Sequence, residues 1–321
     1  MVLPVGCRGL GRGRRAAWAV CATGSVWCLY VLVTSLAPSL LCQYECSVAA
    51  WLHPPPPESV MFLLHLRQAV LRPPQLHPPY PITAAELNDP PWLDLGPWRF
   101  VESIIRLLYR RQRRGVFVEA GAGSGVFKSH TAWLEASQDW TGLLVEPRPQ
   151  AFAQLRRRRK AAAALACASD VEYHKKDKMW LPLEIEDLPQ LYRDMALARS
   201  TLTKYVIEED RPSGGTSSVQ CFTLNALVTA ALGRKTNAID LLVLDTAGGE
   251  HRILATLEGL SISMLVVRHH DESDMYYING TATNMHLEPL PRLLAGSGYL
   301  FFADPTTKQR LINLNLTSFM N

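Results

Sequence analysis

From residue 98 onward the chain alternates short apolar runs with stretches whose apolar positions recur every three or four residues. Residues 116–118, 143–145, 162–169, 219–222, 238–246 and 262–267 are apolar runs of strand length, and several are apolar at every position, as in strands covered on both faces. Residues 98–113, the stretch after Gly125, and residues 149–160, 188–198, 223–232, 250–257 and 290–295 predict helices. In the first of these the apolar positions 98, 101, 104, 105, 107 and 108 share a side, and arginines gather at the end where they complement the helix dipole. Residues 299–302 and 310–313 predict a closing antiparallel pair, while 171–218 are polar and mixed and read as an insertion with a loop at 211–218. The alternation predicts an α/β, Rossmann-like domain: a mostly parallel sheet with helices on both faces. In such a sheet a ligand lies beyond the carboxyl ends of the strands.

Upstream the pattern changes twice. Residues 1–15 hold Arg8, Arg12, Arg14 and Arg15 and no acid, and residues 16–42 hold no charged residue at all. An apolar helix of about 20 residues spans a bilayer, and a basic flank keeps its end in the cytosol. A cleaved signal peptide is the rival reading, but the uncharged run exceeds the roughly 7–15 residues of a signal core. The expectation is a signal-anchor, making this a single-pass type II membrane protein of the secretory pathway (endoplasmic reticulum, Golgi, endosome or plasma membrane) with its bulk on the lumenal side. Sequons at Asn279 and Asn315 agree with that side. Residues 43–97 carry HPPPPES, RPPQLHPPYP and DPPW, runs that favour extended backbone, and read as a stem with one short amphipathic helix at 59–71. The domain then occupies 98–321.

Composition narrows the partners more than the chemistry. With 33 Lys and Arg against 29 Asp and Glu in 321 residues, a net charge of +4 makes no case for nucleic-acid binding. The run Arg156, Arg157, Arg158, Arg159 and Lys160 reads as a solvated helix end, with an anionic or lipid-facing surface as the alternative. The seven cysteines form no CxxC pair. Cys167 and Cys221 fall in the domain as buried thiols or a disulfide, and their apolar neighbours Leu165 and Phe222 favour thiols.

The candidate site gathers round the first strand, turn and helix. Glu119-x-Gly121-x-Gly123-x-Gly125 follows the run 116–118. Glycine at alternate positions permits backbone conformations closed to other residues and lets a ligand approach closely. The spacing differs from the dinucleotide pattern GxGxxG. Glu146 ends the next strand, where a ribose diol is gripped in such folds. Ser169 and Asp170 end the third run, and Asp245 sits near the tip of the run 238–246.

The turn resembles motif I of S-adenosylmethionine (SAM)-dependent methyltransferases. Together, FVEAGAGSGVFKSHTAWLE, WTGLLVEP, CAS and AIDLLVLDTAGGEHRIL resemble the FkbM-type methyltransferase domain over roughly residues 98–315. That resemblance implies SAM as cofactor, bound by Glu119, Gly121, Gly123, Gly125, Glu146, Ser169, Asp170 and Asp245. The layout of anchor, stem and domain resembles the Star type of arthropod proteins, type II membrane proteins that assist EGF-receptor ligand precursors through the secretory pathway. It implies the membrane and membrane-bound growth-factor precursors as partners.

Three positions depart from the family pattern. An acidic first turn, GAxDGE, is replaced by Ser124-Gly125-Val126; DxEGxE reads Asp245-Thr246-Ala247-Gly248-Gly249-Glu250; and a VEHN-like stretch reads Val267-Arg268-His269-His270. Each change takes a carboxylate from the rim where cofactor and acceptor would meet. His269, His270 and Asp245 remain as candidates for a catalytic base, and no spacing among Asp245, His269 and Asp271 demands a metal. The expected function is an escort or trafficking factor on a methyltransferase-like lumenal domain in which catalysis need not survive, with an active SAM-dependent O-methyltransferase as the alternative.

Overall fold

The computed structural model describes residues 59–95, 98–183, 185–233, 238–290 and 298–313. The apolar runs assemble an eight-stranded sheet from β1 (Leu71–Arg72), β2 (Val116–Ala120), β3 (Thr141–Val145), β4 (Ala162–Ala164), β10 (Leu241–Leu244), β12 (Met264–Arg268), β13 (Glu288–Pro289) and β14 (Tyr299–Ala303). Their spatial order is β1-β4-β3-β2-β10-β12-β14-β13. The five strands from β4 to β12 run parallel, and β1, β14 and β13 are antiparallel to their neighbours. Chain order reverses between β2 and β10, which opens a crevice at the carboxyl ends of those strands. A four-stranded sheet of β5 (Cys167–Ala168), β6 (Lys175–Pro182), β7 (Thr201–Leu202) and β8 (Gly214–Phe222) stands beside it, and β9 (Ala238–Ile239) pairs with β11 (Ser261–Ile262).

Period-two alternation sorts the central strands onto two cores. Val118, Leu143, Val145, Leu242, Leu244, Leu265 and Val267 face one side, where α1 (Val60–His65), α7 (Leu224–Leu232), α8 (Glu250–Ala255) and α9 (Glu272–Asn284) cover them. Phe117, Leu144, Leu241, Val243, Met264 and Val266 face the other, under α3 (Trp98–Tyr109), α4 (Ala132–Gln138) and α5 (Pro149–Arg158). The helix α3 buries Trp98, Val101, Ile104, Ile105, Leu108 and Tyr109, and the Tyr109 hydroxyl donates to the Asp240 carbonyl at 2.7 Å. Thr223 caps α7 through the Ala226 amide, and Asp271 caps α9 through the Asp274 amide.

Several expectations change. Residues 59–95, read as stem, belong to the folded domain. Phe62, Leu63, Leu66 and Val70 on α1 and the π-helical turn after it are buried in the core, and Leu71–Arg72 pairs with β4. The proline segments are docked by the arginine run once read as solvated: Arg156 bonds the Pro73 carbonyl, Arg157 stacks on Tyr80, and Arg158 pairs with Glu86 of α2 (Ala84–Asn88) at 2.6 Å. Arg159 is wholly buried. The run 162–169 breaks into β4 and β5, which belong to different sheets, and the loop expected at 211–218 is largely β8. The closing antiparallel pair does not form. Tyr299–Ala303 pairs with β12 and β13, and α10 (Pro305–Asn313) follows with Leu311 in the core.

The cysteines also differ from the thiol reading. β5 and β8 are parallel neighbours with Cys167 opposite Cys221, their Cα atoms 4.4 Å apart, and the two form a disulfide. The apolar span 16–42 and Asn315 lie outside the described residues, as does 291–295 of the helix expected at 290–295. Among the described residues no helix is long and apolar enough to cross a membrane.

Candidate active site

The crevice opens into a cavity of about 1290 Å³. Of the residues expected there, Glu119, Gly121, Gly123, Glu146, Asp170, Asp245, His269 and His270 line it, while Gly125 and Ser169 do not. Gly125 turns away, its carbonyl accepting from Arg159 at 2.9 Å, and Ser169 spends its buried hydroxyl on the Tyr173 carbonyl at 2.7 Å.

The glycine turn is fixed from two sides. Gly121 has φ +87° and lies so close to the next parallel strand that a Cβ would sit 1.8 Å from the Asp245 carbonyl oxygen. No side chain fits there. The Gly121 and Ala122 amides donate to the Val145 carbonyl, and the Gly123 amide donates to Glu146 Oε2 at 2.8 Å. The turn and the β3 tip therefore form one wall. Glu146 Oε1 accepts from the Arg148 amide at 2.9 Å and Nε at 2.7 Å, and Arg148 Nη1 reaches the Leu197 carbonyl at the end of α6 (Gln190–Leu197) at 2.6 Å.

At the third strand end, Asp170 binds Lys175 Nζ at 2.5 Å and also contacts Lys204 and the Tyr205 hydroxyl. Burial pushes its carboxyl up, but these donors outweigh burial and hold it far below the usual carboxylate range. Tyr205 also packs on the turn after β10, where a Cβ on Gly249 (φ +82°) would lie 2.5 Å from its ring.

The rim of the cavity lies at the carboxyl ends of β10 and β12. Asp245 Oδ1 pairs with Arg268 Nη1 at 3.0 Å and Oδ2 accepts from the Tyr299 hydroxyl at 2.6 Å. Burial raises the Asp245 carboxyl, and Arg268, His130 and Tyr299 together outweigh it and leave it lowered. Glu250 Oε1 accepts from the Thr246 and Gly248 amides at 2.8 and 3.1 Å, tying down the turn that holds Ala247 at φ +59°. His270 Nε2 lies 3.5 Å from Glu250 Oε2, and that contact raises its pKa. His269 is lowered by burial and then by His270, and its Nδ1 has no hydrogen-bond partner among the described residues.

A model of the FkbM methyltransferase domain matches residues 119–288. The chain belongs to that family. Three solved structures are similar at low identity. A precorrin-6y C5,15-methyltransferase from Geobacter metallireducens GS-15 shows 10% identity over 63% of this chain and 86% of its own, with TM-score 0.32. A ribosomal protein L11 methylase from Lactobacillus delbrueckii subsp. bulgaricus shows 8% over 64% and 76%, with TM-score 0.31. A SAM-dependent methyltransferase from Aquifex aeolicus shows 9% over 68% and 93%, with TM-score 0.32. A search of curated protein sequences finds no match.

In this FkbM domain Glu119 is more scaffold than rim. Its oxygens accept from the Ser129 hydroxyl at 2.9 Å, the His130 amide at 3.0 Å and the Thr131 hydroxyl, with Arg159 Nη1 at 4.0 Å. Sequence reasoning missed Arg148, Arg159, Lys128, Tyr205 and Tyr299. Arg159 carried a signal: Phe152, Leu155 and Arg159 follow at helical spacing, so the last, the residue capping α5, continues its buried face. Tyr205 and Tyr299 come from distant segments and carried none.

Proposed function

We propose that this FkbM domain binds SAM and transfers its methyl group to an acceptor hydroxyl, inside the secretory pathway. The observation that carries the reading is the junction of the Gly123 amide with the Glu146 carboxylate at the carboxyl ends of β2 and β3, beside the sheet's switch point. The residues fit a nucleoside: a turn where no side chain intrudes, a carboxylate that accepts a ribose diol when Arg148 swings away, and Asp170 at the next strand end. Bound SAM supplies an electrophilic methyl on a sulfonium.

The chain's own groups then divide the work. Asp245 is a poor base because both oxygens are engaged and Arg268 holds its carboxyl low. His269 is better suited, since its lowered pKa keeps it neutral near pH 7 and its buried Nδ1, unpartnered among the described residues, accepts the acceptor's hydroxyl proton once the ring rotates toward the cavity. The Cys167–Cys221 disulfide supports an oxidising compartment, as do the uncharged span 16–42 and its basic flank.

The second reading is a Star-like escort of membrane-bound growth-factor precursors without catalysis. It is favoured by the rim itself, where Asp245 is neutralised by Arg268. Calorimetric titration of the full-length protein with SAM and S-adenosylhomocysteine decides first: saturable binding of both supports the enzyme, and no binding of either ends it. Methyl incorporation lost in His269→Gln while SAM binding persists supports the base, whereas unchanged incorporation refutes it. Co-precipitation of growth-factor precursors with a domain that does not bind SAM supports the escort.

A further inference from the structure

We propose that the acceptor end of the crevice takes a molecule bearing an oxyanion, a phosphate, sulfate or carboxylate, gripped by Lys128 and Arg268. This rests on the reading that SAM occupies the other end. Asp245 is the carboxylate nearest these cations, and both its oxygens are taken, one by Arg268 and one by Tyr299. Glu119 is spent on Ser129, His130 and Thr131.

The cations are less fully used. Arg268 commits Nη1 to Asp245, and its remaining N–H groups have no partner among the described residues. Lys128 lines the same cavity, half-buried, at φ +49°, with no hydrogen-bond or ion-pair partner among the described residues beyond the face of Phe127. Burial lowers its amine's pKa more than the charge of Asp245 raises it, so the ammonium is held out of water without a close counter-ion to offset the loss. A half-buried cation and an unused guanidinium edge lining one cavity are a donor set for an oxyanion. A neutral acceptor would leave them unpaired.

The rival occupant is the carboxylate of SAM itself, and the test separates the two. Full-length protein saturated with S-adenosylhomocysteine, which carries that same carboxylate, is titrated with sodium sulfate and sodium acetate at constant ionic strength. The expected result is saturable anion binding, weakened about tenfold by Lys128→Gln and restored by Lys128→Arg, with S-adenosylhomocysteine affinity and melting temperature unchanged in both variants. Preference for sulfate assigns a phosphate- or sulfate-bearing acceptor, and preference for acetate a carboxylate. Competition between anion and S-adenosylhomocysteine overturns the proposal, as does anion binding indifferent to Lys128→Gln. If S-adenosylhomocysteine does not bind, the SAM reading falls, and the same titration of the unliganded protein still decides whether Lys128 binds an anion.

Discussion

Two glutamate–arginine associations flank the glycine turn and behave as opposites. Glu119 and Arg159 are buried, at 2% and 0% exposure. Arg159 donates to Glu135 at 3.1 Å, to the Gly125 carbonyl and Ser129 hydroxyl at 2.9 Å, and to Thr131 at 2.8 Å. Glu135 in turn accepts from the Lys160 and Ala161 amides, so one guanidinium joins the turn, α4, the end of α5 and the approach to β4. Glu146 and Arg148 use the same chemistry at the cavity wall, where Arg148 keeps some solvent contact and its remaining bond is to one backbone carbonyl. The glutamates are equally buried, Glu146 at 1% exposure, so it is the arginine's partner number and solvent access, not residue type, that separate a strut from a displaceable contact. Water can take over what Arg148 releases; nothing can replace Arg159.

The largest expected effect is therefore at the strut. Arg159→Ala leaves buried carboxylates uncompensated and should cost about 3–5 kcal/mol of stability, read as a shift of the urea midpoint. Next, replacing Cys167 and Cys221 by serine should cost about 2–4 kcal/mol by the same measure, and equal stability with and without reductant would deny the bridge any role. Acid then tests the strut's charge. Burial alone would raise Glu119, but the His130 and Arg159 contacts hold it below the ordinary glutamate value. Its contribution to stability is thus full above that value and lost as pH falls through the lower folded pKa, so Glu119→Gln should flatten the acid limb of the stability curve. The smallest effect belongs to the displaceable pair: Arg148→Ala leaves Glu146 two backbone amide donors, so it should cost about 1–2 kcal/mol of stability, less than Arg159→Ala, and tighten S-adenosylhomocysteine binding severalfold by freeing Glu146.

Much of the parallel sheet was legible because its strands are unbroken apolar runs and its helices carry clear periodicity. Gly121 and Glu146 could be paired from sequence alone, since adjacent parallel strands bring their ends together. Tertiary context hid the rest. The proline-rich segment 72–81 looks like linker, yet it is held by Arg156 and Arg157, and the helical stretch before it buries Phe62 and Leu66 in the core only because the sheet is there to cover them. β8 begins Gly-Gly-Thr-Ser-Ser, with no apolar pattern, and is a strand because it pairs along all of β6. Arg268 announced a lost acid, but only the fold shows it neutralising Asp245.

The account's central claim is that Glu146, unlike Glu119, is a ligand site. Equilibrium dialysis of S-adenosylhomocysteine against wild type and Glu146→Gln tests it most directly. The predicted result is affinity weaker by about ten- to a hundredfold, the worth of a charge-assisted hydrogen bond, with a melting temperature within a few degrees of wild type. Equal affinity in the two proteins would contradict it.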